Sequence, residues 1–231
     1  AGKLQNSRQV LLRAARENSD ADDTIALTDA AGRLAAGLVR LKDATRVDEV
    51  RGIEGAGARA YFDGFEHTIR ADRGSFAPNG RTRRPPLDRT NSVLSFLYAL
   101  LRTECSAALE GVGLDPQIGF LHVLRPGRPA LALDLMEEFR PVLADRLAIT
   151  LINRRQLQAD QFEELPGGAI HLTDAGRKVV LVAYQKRKEE EVQHRVLKEK
   201  VPIGLIPHIQ ARLLARHLRG DLKDYPPFLN R

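Results

Sequence analysis

The sequence predicts a mainly α-helical fold with at most a short β element. Three observations carry this prediction: apolar residues recur at three- and four-residue spacing along most of the chain, only one short segment near residue 170 reads as a strand, and no internal repeat or strand-rich region interrupts the pattern. Leu4, Val10, Leu11, Leu12 and Ala15 predict a first helix, and Ile25, Leu27, Ala30, Leu34, Leu38 and Leu41 a second over Asp23 to Lys42. A third, from about Val47 to Phe65, carries RGIEGAGARAYF, whose Gly52, Gly55 and Gly57 weaken a helix unless another surface approaches closely.

The stretch from about Arg70 to Leu87 is rich in Gly, Pro and Arg and contains RTRRPP, so it reads as a mobile loop outside any core. Asp88 can cap the next helix, on which Leu94, Leu97, Tyr98, Leu101, Cys105, Ala108 and Leu109 form one apolar stripe. Gly111, Gly113 and Pro116 end that central helix. QIGFLH and an RPGRP turn precede another helix, predicted from about Ala132 to Arg155. GGAIHLTDAGRKVVLVAYQKRKEEE then reads as a short strand, a Thr173 or Asp174 cap and a helix, and a last helix covers about Ile206 to Arg219.

The 231 residues, 43% of them hydrophobic, are enough for one helical domain over 1–231, with a subdivision near 156–172. The chain opens at Ala1 without an initiator Met, which reads as a fragment of a longer protein. Thirty-six Lys and Arg against 30 Asp and Glu give a formal charge of +6, a balance that favours a polyanionic partner. The longest apolar stretch, around Val93 to Leu101, is far short of the roughly 20 residues that span a bilayer, so no membrane partner is expected. A single cysteine, Cys105, allows no intrachain disulfide, and no Cys/His cluster has zinc spacing, which together read as a cytoplasmic protein.

Carboxylates and an imidazole are the candidate chemical groups, because magnesium and manganese take hard oxygen ligands and manganese also accepts imidazole. Glu54 lies among Gly and Ala, which leave room for a bulky phosphate backbone. His122 follows an apolar run just before a Pro/Gly turn. In LALDLMEEFRP the spacings of three and four put Asp134 on one helical face with Glu137 and Glu138, a like-charge cluster that a cation would neutralise. There is no GxxxxGK[ST] phosphate loop, hence no sign of nucleoside triphosphate use.

Four ordered motifs, RGIEGAGARAYF, RTRRPPLDRTNSVLSFLYALL, GLDPQIGFLH and LALDLMEEFRP, resemble the catalytic domain of the CRISPR-associated protein one family, the endonuclease and integrase that inserts spacers into a CRISPR array. The resemblance extends over essentially the whole chain, and what it lacks is the family's N-terminal β-sheet domain. It implies that a Glu, a His and an acidic residue bind one divalent ion, Mg2+ or Mn2+, and by motif these fall on Glu54, His122 and Glu137. Asp134 matches the second acidic position, and Glu138, next in the motif, leaves a one-residue ambiguity in which the DLMEEF alignment favours Glu137. The implied reaction is phosphodiester transfer: a 3′-hydroxyl of incoming DNA attacks a repeat phosphodiester, and the same site can hydrolyse. The implied partners are double-stranded and branched DNA, CRISPR-associated protein two, and a second copy in a full-length homodimer.

Under that resemblance Arg59, Arg81, Arg83 and Arg84 are candidates for contacting DNA phosphates, and Asn91 for supporting the central helix or the site. A non-enzymatic alternative comes from AIHLTDAGRKVVLVAYQKR, which resembles the strand and helix that close a winged-helix DNA-binding regulator.

Overall fold

The computed structural model describes residues 1–230, and its described residues are mainly helical, with two small antiparallel hairpins. Three helices, α1 (Gly2–Glu17), α2 (Ala21–Arg40) and α3 (Val47–Phe65), follow one another through short connections and pack together. Asp20 caps α2 by accepting the Asp23 N–H at 3.0 Å, which satisfies a donor the helix start would otherwise leave bare. Of the α3 glycines, Gly57 faces another surface: a Cβ there would overlap the Leu4 side chain, so α1 and α3 approach only because it is glycine. Nothing stands within 4 Å of a Cβ at Gly52 or Gly55, so the expected close approach holds for one of the three, and the flank of α3 beside Glu54 stays open.

The loop expected to lie outside any core is tied into it. A short helix α4 (Arg73–Phe76) buries Phe76 against Phe162, with ring centres 5.7 Å apart, and Thr90 Oγ1 donates to the Phe76 carbonyl at 2.5 Å. The central helix α5 (Arg89–Glu110) starts as expected, its N-cap Asp88 accepting the Asn91 N–H at 2.7 Å. Val93, Leu94 and Leu97 at its start join a core with α1, α2, α3 and Leu147 to Ile152, while Leu101, Cys105, Ala108 and Leu109 join a second core farther along. One helix thereby threads both cores.

The single helix expected from about Ala132 to Arg155 is three pieces: α6 (Ala130–Met136), a π-helical turn over Arg140–Asp145, and α7 (Arg146–Asn153). Pro141 is the physical reason, since it has no N–H to give the Glu137 carbonyl one turn back. The break falls just after the acidic cluster.

The predicted strand is β2 (Ala169–Leu172), paired antiparallel with β1 (Phe162–Leu165). Thr173 caps α8 (Asp174–Glu189) as expected. A second hairpin, β3 (Glu191–His194) with β4 (Glu199–Pro202), has no counterpart in the sequence reading. It precedes α9 (Ile206–Leu218), which packs on α5 and α6. No helix among the described residues is long and apolar enough to cross a membrane.

Candidate active site

Glu54, His122 and Glu137 reach one region from three separate stretches. Glu54 comes from α3 into a cleft of 350 Å³ that is also lined by Lys3, Leu121, Asp134 and Glu137. The loop 111–129 delivers His122, and Asp134 on α6 holds that loop in place. One oxygen of Asp134 accepts the Phe120 and Leu121 N–H groups at 2.7 and 2.9 Å, and the other accepts the His122 N–H at 2.9 Å and faces His122 Nδ1 at 2.6 Å. Gly119 makes this grip possible, because a Cβ there would stand 2.8 Å from Asp134 Oδ2. From the other side Arg51 Nε donates to the Leu121 carbonyl at 2.9 Å.

Burial works against the Asp134 carboxylate, but His122 and the three N–H donors hold its pKa below the usual range. An ionised carboxylate only accepts, so Nδ1 of His122 is the donor in this contact, and in the neutral tautomer it selects the lone pair is on Nε2. That Nε2 lies 4.0 Å from Glu137 Oε1.

Glu137 is buried, and burial alone would raise its pKa. Arg140 and Lys3 overcome this and bring it down to about 2. Arg140 Nη1 stands 2.8 Å from Oε1, with its guanidinium 4.6 Å above the Tyr98 ring. Lys3 Nζ donates to Glu54 Oε1 and lies 2.7 Å from Glu137 Oε2. The latter contact is a close ion pair, and no hydrogen bond of ordinary geometry reaches this buried oxygen.

Glu138 has other partners: it accepts the Phe228 N–H at 2.7 Å and faces Gln210 Nε2 at 3.3 Å. Asp134, Glu137 and Glu138 all line the cleft, as their helical spacing predicts, but their carboxyls meet different partners, respectively the His122 loop, Lys3 with Arg140, and the C-terminal segment. Arg59, Arg83 and Arg84 are exposed, whereas Arg81 folds inward, donating to Asn91 Oδ1 at 2.7 Å with its guanidinium 5.2 Å from the centre of the Tyr98 ring. Asn91 in turn donates to the Gly80 carbonyl at 2.9 Å, so it ties the 70–87 loop to α5.

Sequence reasoning missed Lys3, Arg51 and Arg140. Arg140 follows Glu137 by three residues, a spacing that flags an ion pair; Lys3 and Arg51 meet their partners across 51 and 70 residues and left no local signal.

As the side chains stand, no three His, Cys, Asp or Glu among the described residues come close enough to enclose a metal ion. The place between the two glutamates holds a cation all the same, the Lys3 ammonium, and one Glu137 oxygen is left without a hydrogen bond. Two carboxylates and an imidazole nitrogen with a free lone pair are donors that suit magnesium or manganese, so these residues fit such an ion.

The family model described as "CRISPR associated protein Cas1" matches residues 1–186. The chain is 59% identical over 231 residues to the CRISPR-associated endonuclease Cas1 1 of Moorella thermoacetica, a match covering 100% of this chain and 67% of the relative. It thus spans about two thirds of that relative's length. Among solved structures, a Cas1 protein from Thermotoga maritima superposes with a TM-score of 0.73 at 28% identity, covering 94% of this chain and 66% of the other. A chain of a Cas6-RT-Cas1–Cas2 complex does so with a TM-score of 0.79 at 26% identity, covering 98% of this chain and 24% of that one. The family match takes in nearly all of Ala169–Arg187, the segment that resembled a winged helix, and so does not favour the regulator reading.

Proposed function

Because the chain belongs to the Cas1 family of CRISPR-associated proteins, we propose that it is the helical catalytic part of a divalent-metal-dependent DNA endonuclease and integrase that inserts spacers into a CRISPR array. The observation that carries this reading is that Glu54 and Glu137 line one cleft while Asp134 fixes the His122 imidazole with its Nε2 4.0 Å from Glu137.

In this reading Glu54, His122 Nε2 and Glu137 hold magnesium or manganese, and Glu137 rather than Glu138 is the acidic ligand. The ion, when bound, supplies Lewis-acid polarisation of a phosphodiester. The protein does the rest by placement. Asp134 keeps the tautomer and angle of His122, and Arg140 keeps Glu137 ionised and aimed into the cleft. Open space beside Gly52 and Gly55 admits a nucleic-acid backbone to Glu54. Exposed Arg59, Arg83 and Arg84 neutralise neighbouring phosphates, while Arg81 serves the fold. The reaction is an exchange of esters: a 3′-hydroxyl oxygen of the incoming strand forms a bond to a repeat phosphorus, and the bond from that phosphorus to its former 3′-oxygen breaks. One phosphodiester replaces another, so no nucleotide triphosphate is consumed, and water in place of the hydroxyl gives hydrolysis. The partners in this reading are double-stranded and branched DNA, a Cas2 protein such as the one in the superposed complex, and a second Cas1 copy in the full-length protein.

The test is to incubate the 231-residue chain with branched DNA carrying a repeat junction, in Mn2+ or EDTA, and to resolve products on a denaturing gel. Wild type is expected to give Mn2+-dependent products, and Glu54→Gln and His122→Ala to lose them by more than about 100-fold, since orienting partners of metal ligands already cost 10–100-fold. Undiminished products from a folded His122→Ala protein would overturn the site.

A further inference from the structure

Lys3 has no role in the reading above, yet its side chain is only 17% exposed and its ammonium touches both Glu54 and Glu137. Its position is set by packing, because the next residue, Leu4, is 4% exposed and fills the space that Gly57 leaves open. The ammonium is therefore delivered to the two glutamates by the α1–α3 contact, and its reach into the cleft is a property of the fold.

Charge decides what this cation does. Three carboxylates, Glu54, Glu137 and Asp134, stand against two cations, Lys3 and Arg140, so with the imidazole in the neutral form that binds a metal these groups sum to one net negative charge. With a divalent ion the same groups carry one net positive charge, which one phosphodiester cancels. Without Lys3, the loaded site with its phosphodiester would keep an uncompensated negative charge in a partly buried cleft, where such a charge is costly. Lys3 and a divalent ion also cannot both sit between the same two carboxylates at contact distance.

We propose that Lys3 is a phosphate-binding and positioning residue with two successive partners: it clamps Glu54 to Glu137 in the metal-free cleft, then gives up the glutamates to a divalent ion and turns its ammonium to the phosphodiester. Lys3 thereby competes with metal in the absence of DNA and supports DNA in its presence. The inference rests on Glu54, His122 and Glu137 being the metal ligands.

Two titrations test it, on wild type, Lys3→Gln, Lys3→Arg and Glu54→Gln, with thermal melts to establish that each variant is folded. In the first, free Mn2+ is followed by its paramagnetic resonance signal without DNA. Lys3→Gln is expected to bind roughly fivefold tighter than wild type, the size of a partly exposed ion pair no longer in competition, with Lys3→Arg near wild type. In the second, affinity for a DNA duplex is measured in Ca2+ and in EDTA. Lys3→Gln is expected to lose roughly fivefold in Ca2+ and little in EDTA, where the lysine remains with the glutamates. Mn2+ binding by Lys3→Gln equal to or weaker than wild type would overturn the proposal, as would an equal DNA loss in both conditions. Should Glu54→Gln bind Mn2+ as well as wild type, the ligand assignment itself would fall; a Glu54→Gln defect beside an unchanged Lys3→Gln would sink only the role of Lys3.

Discussion

Glu137 and Glu138 are neighbours at the end of α6, and their carboxyls end in opposite protonation regimes. Burial opposes the charge on both. At Glu137 that penalty is outweighed by Arg140 and Lys3, and the pKa falls to about 2. At Glu138 the penalty prevails: the donors in contact with it are neutral (the Phe228 N–H, the Tyr225 hydroxyl and the Gln210 amide), the N-terminal ammonium lowers its pKa least of all, and the pKa is pushed up to about 7. One step along a helix turns a side chain by about 100°. Here both carboxyls line one cleft, and that step separates its Lys3 and Arg140 side from its wall against the C-terminal segment. What differs is neither residue type nor depth but whether a formal positive charge lies within contact distance. A carboxyl that is still protonated must release its proton when a hard cation binds, whereas Glu137, at about 2, is already ionised at ordinary pH.

The strongest way to break this comparison is to neutralise each glutamate in turn. Glu137→Gln is expected to reduce Mn2+-dependent strand transfer by more than about 100-fold, and Glu138→Gln by less than about threefold, both read on the denaturing gel. Similar losses in the two variants would mean that the two sides of the cleft are not functionally distinct. A smaller effect is expected one shell out. Asp134→Asn removes the charge that holds the proton on His122 Nδ1 and should cost roughly 10–100-fold in Mn2+ affinity and activity. Full activity in Asp134→Asn would show that the imidazole does not depend on its carboxylate partner.

The same pair marks how far the sequence could be read. The helices were legible wherever apolar residues kept three- and four-residue spacing and a capping side chain stood at the start, as with Asp88 before α5 and Thr173 before α8. The hairpin of β3 and β4 was not, because its strands are four residues long and rich in charged and polar side chains, too short for alternation to register. The 70–87 loop looked free because its anchors, Phe76 and the inward Arg81, are single residues in a polar stretch whose partners lie elsewhere in the chain. The candidate ligands were named from the motifs they sit in. Helical spacing placed Asp134, Glu137 and Glu138 on one face, and all three do line the cleft, but which partner each carboxyl meets depends on contacts from other parts of the chain that spacing does not encode. The Lys3 contacts, made across 51 residues and more, depend on the packing of α1 against α3, which no local pattern encodes.

The smallest expected effect, and the one that sharpens the comparison most directly, is on stability against pH. Glu138 has a folded pKa of about 7, above the ordinary 4.5 of an unfolded chain, so its contribution is fully present below pH 4.5 and is lost as pH rises through 7. Glu137, at about 2, contributes in the opposite sense: its stabilisation is present above pH 4.5 and is lost as pH falls towards 2. Asp145, fully enclosed and reached by the Tyr61 and Tyr98 hydroxyls at 2.8 and 2.7 Å, is pushed up to about 6 and adds its own loss between about pH 4 and 6. Subtracting variant from wild-type melting curves in EDTA removes that shared background. Glu138→Gln, neutral at every pH, should gain on wild type between pH 4.5 and 7 by about 1–2 kcal/mol and then hold level, a figure kept below the full shift because the side chain is partly exposed. The corresponding difference for Glu137→Gln should slope the other way, the variant losing ground as pH rises from 2 to 4.5. Two difference curves of the same sign would mean that Lys3 and Arg140 do not set the charge of the cleft, and that depth alone governs both glutamates.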